Sequence, residues 1–388
     1  MNELTVNILR GENKIGENLI EITDKKSKLL LECGVAITPT EETRKIEECV
    51  LETLYDAIIV SHSHMDHAGL LKNKVQAKEI YMGKSTYELL CYTDAICNEN
   101  IGKIRYFESE KSFFIGEIEI KPYLCDHSSF DSYMIEIKKG EDNVLYTGDF
   151  RSNGRKSFTS LLSKLPNKVS TLIIEATNDK ECNHTERYLE EKVTEIMKKH
   201  DMVFFLQSRL NIDRLVSFYR ATRRVGKPFI MGIGSAGIAR IGKTIPNPQS
   251  FIDCYTYLRS RANEFEYTNS KNKYKQKLIG RCQIAEMQSF SMQVMCGMGD
   301  YLEKLNSICD LKGSVLIYSM WQGYKRSASV RKFLETVSRL GIEIVDFHVS
   351  GHADIQTRKR LIEKVNPKTV ITVHSHSQPM LNPIWSDK

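Results

Sequence analysis

The 388-residue chain has no apolar run of the ~18–20 residues that a membrane-spanning helix requires, so no membrane partner is expected. Its first residues, MNELTVNILRGENK, lack the apolar core of a secretory signal, which leads to the expectation of a cytoplasmic protein. The ten cysteines, at 33, 49, 91, 97, 125, 182, 254, 282, 296 and 309, form no Cys-x-x-Cys pair. A zinc ribbon or a thioredoxin-like motif is therefore excluded, and the scattered thiols read as reduced, mostly buried side chains. Repeats with a period of 20–50 residues are absent, as are low-complexity tracts, which removes solenoids, propellers and fibrous arrays. Charge of one sign is barely in excess. Lys and Arg total 55 against 49 for Asp and Glu, and the resulting +6 permits a polyanionic partner without requiring one. With 27% charged and 41% hydrophobic residues the chain is neither disordered nor collagen-like. At ~100–200 residues per domain, its length suggests two or three domains.

What is present is a dense series of short apolar segments. LTVNIL, LIEIT, KLLLECG, DAIIV, KEIYM, GEIEIKPYLC, DSYMIEIKK, NVLYTGDF and TLIIEATN read as strands, with EETRKIEECVLETL as an early helix. From about residue 180 the pattern changes to strands alternating with amphipathic helices: ERYLEEKVTEIMKKH, VFFLQS, NIDRLVSFYRATRRVG and KPFIMGIG. That alternation predicts a parallel α/β unit. A polar, basic stretch at 261–280 reads as exposed. SVLIYSMW, IEIVDFHVSG, the helix DIQTRKRLIEKVN and the strand KTVITVHSHS follow. Two domains are expected, the second inserted into the first.

The strongest chemical signal is His62-x-His64-x-Asp66-His67. Two histidines at i and i+2 just beyond a strand can turn toward one point. Asp66 and His67 can supply a second metal from the start of a helix. Imidazole and carboxylate are the ligands of zinc or manganese, and no sulfur is required. A histidine-rich surface loop is the plain alternative; the strand–loop–helix setting favours metal. One loop cannot complete a two-metal site, and three further candidates stand at strand ends: His127, Asp149 and His374. Gly148 precedes Asp149 and would allow close backbone approach.

With these residues in place, SHSHMDHAG, DHSSFDSYMIEI, YTGDF and ITVHSH resemble the successive metal motifs of the metallo-β-lactamase fold. The chain is further similar to the nucleic-acid-processing branch with a β-CASP insertion, which includes ribonuclease J-like and mRNA 3′-end processing nucleases. There an acidic residue ends a strand (here Glu175) and a histidine follows in a Ser-Gly-His-Ala turn (here His352). The resemblance implies an α/β fold, a metallo-β-lactamase αββα sandwich with an inserted Rossmann-like β-CASP domain. It places the first domain at 1–179 and 347–388, and the insertion at 180–346.

By the same resemblance, His62, His64 and His127 would hold one metal and Asp66, His67 and His374 the other, with Asp149 between them. Two Zn2+ ions are implied, with Mn2+ as the alternative. Ions ~3.5–4 Å apart lower the pKa of water and stabilise charge on a phosphate oxygen. His352, oriented by Glu175, would protonate the leaving oxygen, so Asp66, Glu175 and His352 form the implied catalytic set. Three features depart from the family. Glu32 in LLLECG replaces the usual Asp, and could either support a ligand or be idle. The final motif reads His374-Ser375-His376, where His-Gly-Glu is common. The chain's end at 388 leaves no room for the extra C-terminal domain of full ribonuclease J.

Other segments have weaker claims. Arg151 and Arg155 could meet a phosphate or be ordinary surface arginines. Ser61 and Ser63 lack a partnered base, which makes a serine nucleophile a poor reading. Gly232, Gly234 and Gly237 resemble a phosphate loop, but no motif completes it and a turn is expected. Tyr219 with Arg220, Arg223 and Arg224 could track a nucleic-acid backbone, although a solvated helix face is commoner. Tyr255, Tyr257, Tyr267 and Tyr274 could stack bases, with packing the default.

The functional expectation is a two-metal hydrolase that cleaves phosphodiesters of single-stranded RNA. DNA is the alternative polymer and a homodimer is compatible. The rivals are a small-molecule hydrolase of the same fold, acting on a thioester, lactone or cyclic nucleotide, and a nucleic-acid-binding protein on a decayed hydrolase scaffold.

Overall fold

The strands Lys28–Leu31 and Tyr55–Ile59 read KLLL and YDAII, apolar at consecutive positions. Such runs arise where a strand is covered on both faces. In the computed structural model, which describes residues 3–12, 14–182, 184–242, 245–257 and 277–375, that is their situation. The chain divides into two compact units, Met1–Cys182 with Ser350–Lys388, and Asn183–Val349.

The first unit holds two six-stranded sheets. One runs in chain order through Thr5–Arg10, Leu19–Thr23, Lys28–Leu31, Tyr55–Ile59, Ala77–Met82 and Ile104–Tyr106. The other has the order Thr369–Val373, Thr171–Glu175, Asp142–Tyr146, Ser132–Lys139, Ile118–Cys125, Phe113–Ile115. Leu29 and Leu31 point inward with Ala57 and Ile59, against Ile135, Ile137, Val144 and Ile173 of the second sheet. Leu30 and Ile58 point the other way, onto Val50 and Leu70. On the far face of the second sheet Leu145, Leu172 and Ile174 pack against helices through Phe158, Leu161, Leu361 and Val365. Side chains alternating across each strand thus build three apolar layers and an αββα sandwich. Each fully buried Leu or Ile contributes ~1.5–3 kcal/mol of transfer free energy.

The second unit is a seven-stranded parallel sheet. Its order is Leu278–Ile279, Cys254–Tyr257, Phe229–Gly232, Phe290–Val294, Met202–Leu206, Val315–Tyr318, Glu343–Asp346. Helices including Glu186–Lys199, Ile212–Arg224 and Ala328–Arg339 connect the strands. Asn211 caps the second of these, its side chain accepting from the Arg214 amide. Arg214 is itself buried, donating to Glu186 (2.8 Å) and to the carbonyl of Val349 (3.0 Å).

Two sequence expectations need correction. FSMQV, the strand Phe290–Val294, lies inside the sheet but gave no strand signal, because buried Ser291 and Gln293 break its apolar run. MGIGSAG is not a turn: Gly232 ends a strand and caps the short helix Ile233–Ala239. Of the 261–280 stretch, 261–276 lies outside the described residues, and Leu278–Ile279 is an edge strand.

Five strands of the first unit point their carboxyl ends at one place. Tyr55–Ile59 feeds the loop with His62, Ile118–Cys125 leads to His127, and Asp142–Tyr146 to Asp149. Glu175 closes its own strand and His374 follows Val373. This is what brings distant motifs together.

Candidate metal centre

Five histidine nitrogens converge on one carboxylate oxygen. Asp149 Oδ2 lies 3.3 Å from His67 Nε2, 3.6 Å from His127 Nε2, 3.6 Å from His352 Nδ1, 3.8 Å from His374 Nε2 and 3.9 Å from His62 Nε2. On one side, His64 Nδ1 is 3.1 Å from His62 Nε2 and 3.2 Å from His127 Nε2. On the other, Asp66 Oδ2 is 3.0 Å from His374 Nε2 and 3.8 Å from His67 Nε2. Two donor groups result, His62–His64–His127–Asp149 and Asp66–His67–His374. A third grouping, Asp149–His352–His374, adjoins them.

The local backbone explains the convergence. After Tyr55–Ile59 the chain turns at Ser61–His64 into the single-turn helix Met65–Ala68. Cys33 N donates to His67 O (2.7 Å), Val35 N to Met65 O (3.1 Å) and Asn18 N to Asp66 O (3.0 Å), fixing that turn from two loops. Gly148 has φ +51°, and a Cβ there would lie 3.0 Å from the Ser61 hydroxyl, so only glycine lets the Asp149 loop approach.

Each imidazole is oriented from behind. His62 Nδ1 is 3.0 Å from Ser61 Oγ, and His67 Nδ1 is 3.2 Å from Glu32 Oε1. His127 Nδ1 donates to the Gly351 carbonyl at 2.6 Å, and His374 Nδ1 meets the Thr177 hydroxyl. These partners leave Nε2 of all four rings facing Asp149, which is how outer groups select the ligating nitrogen. Glu32 Oε2 also accepts from the Ser61 amide (3.1 Å), so Glu32 is a buried support and not an idle surface group.

Burial, reinforced by the neighbouring rings, holds His62 well below the ordinary histidine value, and burial brings His64 down to about 4 and His127 well below. These imidazoles are neutral, with lone pairs available. For Asp149 burial alone would favour the acid, but His374, His67 and His352 outweigh it and keep the carboxylate ionised. Asp66 is likewise lowered, burial being overcome by His67 and His374. Burial opposes charge on His352 too, yet Glu175 and Asp149 raise it to about 9. Neutral imidazoles facing one another, ionised buried carboxylates and a buried Asp149 Oδ1 with no hydrogen-bond partner among the described residues form a donor set that fits divalent metal.

Among the remaining sequence candidates, His352 Nδ1 lies 3.4 Å from Glu175 Oε1. Glu175 in turn accepts from the amides of Ala353 (3.0 Å) and Thr177 (3.1 Å). Arg151 is not a phosphate-facing surface residue: its side chain is buried against Asp126. The Arg155 amide donates to the same carboxylate (2.7 Å). Ser63 pairs with Ser129 (3.1 Å), and Ser61, which the sequence left without a partner, has its hydroxyl behind the His62 ring at Nδ1, while Nε2 of that ring faces Asp149. Arg220 and Arg224 face Glu190, Arg223 faces Asp253 and Tyr219 is buried, which is a solvated helix face with an apolar underside. Tyr257 is buried and Tyr255 packs beside it; Tyr267, Tyr274 and His376 lie outside the described residues. The motif reading missed Asn18, Asp126 and Thr177. Only Asp126 had a signal, its place beside His127.

Residues 339–380 match the family described as RMMBL, the Zn-dependent metallo-hydrolase RNA specificity domain. The chain is 21% identical to a probable RNase MJ4 of Methanocaldococcus jannaschii over 95% of this chain and 92% of that protein. It is 19% identical to ribonuclease J 1 of Streptococcus pyogenes over 96% and 69%, respectively. An RNase J-like protein of Methanocaldococcus jannaschii is 28% identical, but over only 43% of this chain and 41% of its own length. The crystal structure of a protein of unknown function from Enterococcus faecalis superposes with a TM-score of 0.75 at 17% identity, covering 97% of this chain and 95% of that one. Sheet order, the His/Asp cluster and these similarities together support a metallo-β-lactamase-fold protein with a β-CASP insertion, similar to the ribonuclease J-like proteins.

Proposed function

We propose that this metal-dependent hydrolase uses two divalent cations, zinc or manganese, to cleave phosphodiester bonds of single-stranded RNA. The single observation that carries the reading is Asp149 Oδ2, within 3.9 Å of histidines from both donor groups. A carboxylate so situated is suited to be shared between His62–His64–His127 on one side and Asp66–His67–His374 on the other. Bound there, two cations supply the charge that lowers the pKa of water and offsets charge developing on a phosphate oxygen. RNA as substrate is supported by the names of the ribonuclease relatives and by the RNA specificity description of residues 339–380.

The chain's own groups supply the rest. Glu175, held by two backbone amides, aims His352 toward Asp149. The His352 side chain retains 24% exposure, whereas those of His62, His67 and His127 have none. A protonated, oriented imidazole reachable from outside is suited to deliver a proton to the leaving oxygen. The test is a product ladder from the metal-loaded protein with end-labelled single-stranded RNA and DNA, each with 5′-phosphate or triphosphate. Cleavage of RNA in preference to DNA is expected. If neither polymer is cut, the reading is wrong.

A further inference from the structure

We propose that Asn18 supplies its side-chain amide oxygen as an additional neutral donor to the cation held by Asp66, His67 and His374; the inference rests on the two-metal reading above. Asn18 is fully buried. The end of its amide assigned as Nδ2 lies 3.2 Å from His67 Nε2. That spacing equals the one at which the other donors face each other, 3.1 Å for His62 and His64 and 3.3 Å for His67 and Asp149. Atoms that share one small cation at ~2.0–2.2 Å stand about this far apart.

The backbone of Asn18 is locked to the centre. Its amide donates to Asp66 O (3.0 Å) and its carbonyl accepts from Gly34 N (3.3 Å). Its loop is also shaped around the site. Gly11 has φ +106°, and a Cβ there would come within 2.8 Å of Asn18 Oδ1; a Cβ on Gly16 would come within 2.8 Å of Asp66 Oδ2.

The orientation of the amide follows from chemistry. Its two ends are nearly identical in shape, and a hydrogen-bond network normally decides between them. Here Oδ1 has no hydrogen-bond partner among the described residues, so the contact of the other end with His67 Nε2 is what sets the present sense of the amide. Once His67 Nε2 gives its lone pair to a cation it accepts no hydrogen bond, and an N–H beside it would face positive charge. A half-turn about Cβ–Cγ places the carbonyl oxygen there instead, where a hard oxygen donor is favourable. Neither histidine–carboxylate spacing nor the His62–His67 motif points to this residue.

The test is metal binding by equilibrium dialysis, with Zn2+ and separately Co2+, on the wild type, Asn18→Ala and Asn18→Asp. The wild type is expected to hold two ions. In Asn18→Ala one ion stays tight while the other weakens about 10–100-fold, the scale on which residues beside a metal ligand act. The visible Co2+ absorption of Asn18→Ala should intensify as the coordination number falls, and Asn18→Asp, which keeps an oxygen in place, should restore both affinity and spectrum. Wild-type affinity and an unchanged Co2+ spectrum in Asn18→Ala would overturn the assignment while leaving the two-metal reading intact. A wild type that holds only one ion sinks both. Should Asn18→Ala not fold, Asn18→Leu, which fills the same space without a donor atom, decides on the same readings: a weakened second ion is expected, and wild-type affinity with an unchanged Co2+ spectrum overturns the assignment.

Discussion

The Arg151 guanidinium lies 2.5 Å from the Asp126 carboxylate, with side-chain exposures of 0% and 1%. This pair ties three site-bearing loops. Asp126 precedes His127, Arg151 follows Asp149 by two residues, and Arg151 also donates to the Ser350 carbonyl (3.3 Å) before His352. Removing one partner leaves the other charge buried and alone. Asp126→Asn and Arg151→Met are each expected to lower unfolding stability by ~3–5 kcal/mol in urea titrations. A loss below 1 kcal/mol in both would show that the pair does not brace the loops.

Asp149→Ala should abolish RNA cleavage and lower metal content in both donor groups, measured by elemental analysis after dialysis. Unchanged turnover in that variant contradicts the shared-carboxylate assignment.

His352→Ala is expected to reduce turnover by ~10²–10⁴-fold with metal content preserved, the range for removing a general acid. Should the metal leave as well, His352 is a ligand and not the acid.

Chelation should lower thermal stability, because the cations bind the folded state alone. At a free metal concentration a hundredfold above Kd the difference is ~3 kcal/mol, read as an upward shift in melting temperature on adding Zn2+ back. A melting curve indifferent to metal argues against an occupied buried site.

Thiol chemistry gives an independent check on the fold. Burial pushes the thiols of Cys33 and Cys125 far above their ordinary value and that of Cys254 up to about 12. Cys49, Cys91 and Cys282 are exposed. With a disulfide reagent at neutral pH, those three should react first and Cys33, Cys125 and Cys254 only in denaturant, as peptide mapping would reveal.

The His/Asp cluster was legible in sequence because its members follow strand ends, directly or, for Asp66 and His67, through one short loop and helical turn, and strands such as DAIIV and NVLYTGDF announce themselves by apolar runs. Where the reading failed, the decisive fact was three-dimensional. Arg151 sits two residues past Asp149, and nothing in that spacing reveals that it turns inward to Asp126. LLLECG alone suits Glu32 either as a support or as an idle group; only the fold sets its Oε1 beside His67 Nδ1. Asn18 carries no titratable group and belongs to no motif; only the folded loop brings its amide to His67. FSMQV hid because polar residues can occupy a buried strand when neighbouring strands satisfy its backbone.

The donors around Asp149 span the chain from His62 to His374. A polypeptide emerging from the ribosome can therefore finish its first sheet long before it owns a complete centre. Copies truncated upstream of residue 374 would carry the early donors and lack the last, so the proposed centre is complete only once the span from His62 to His374 has been made and folded.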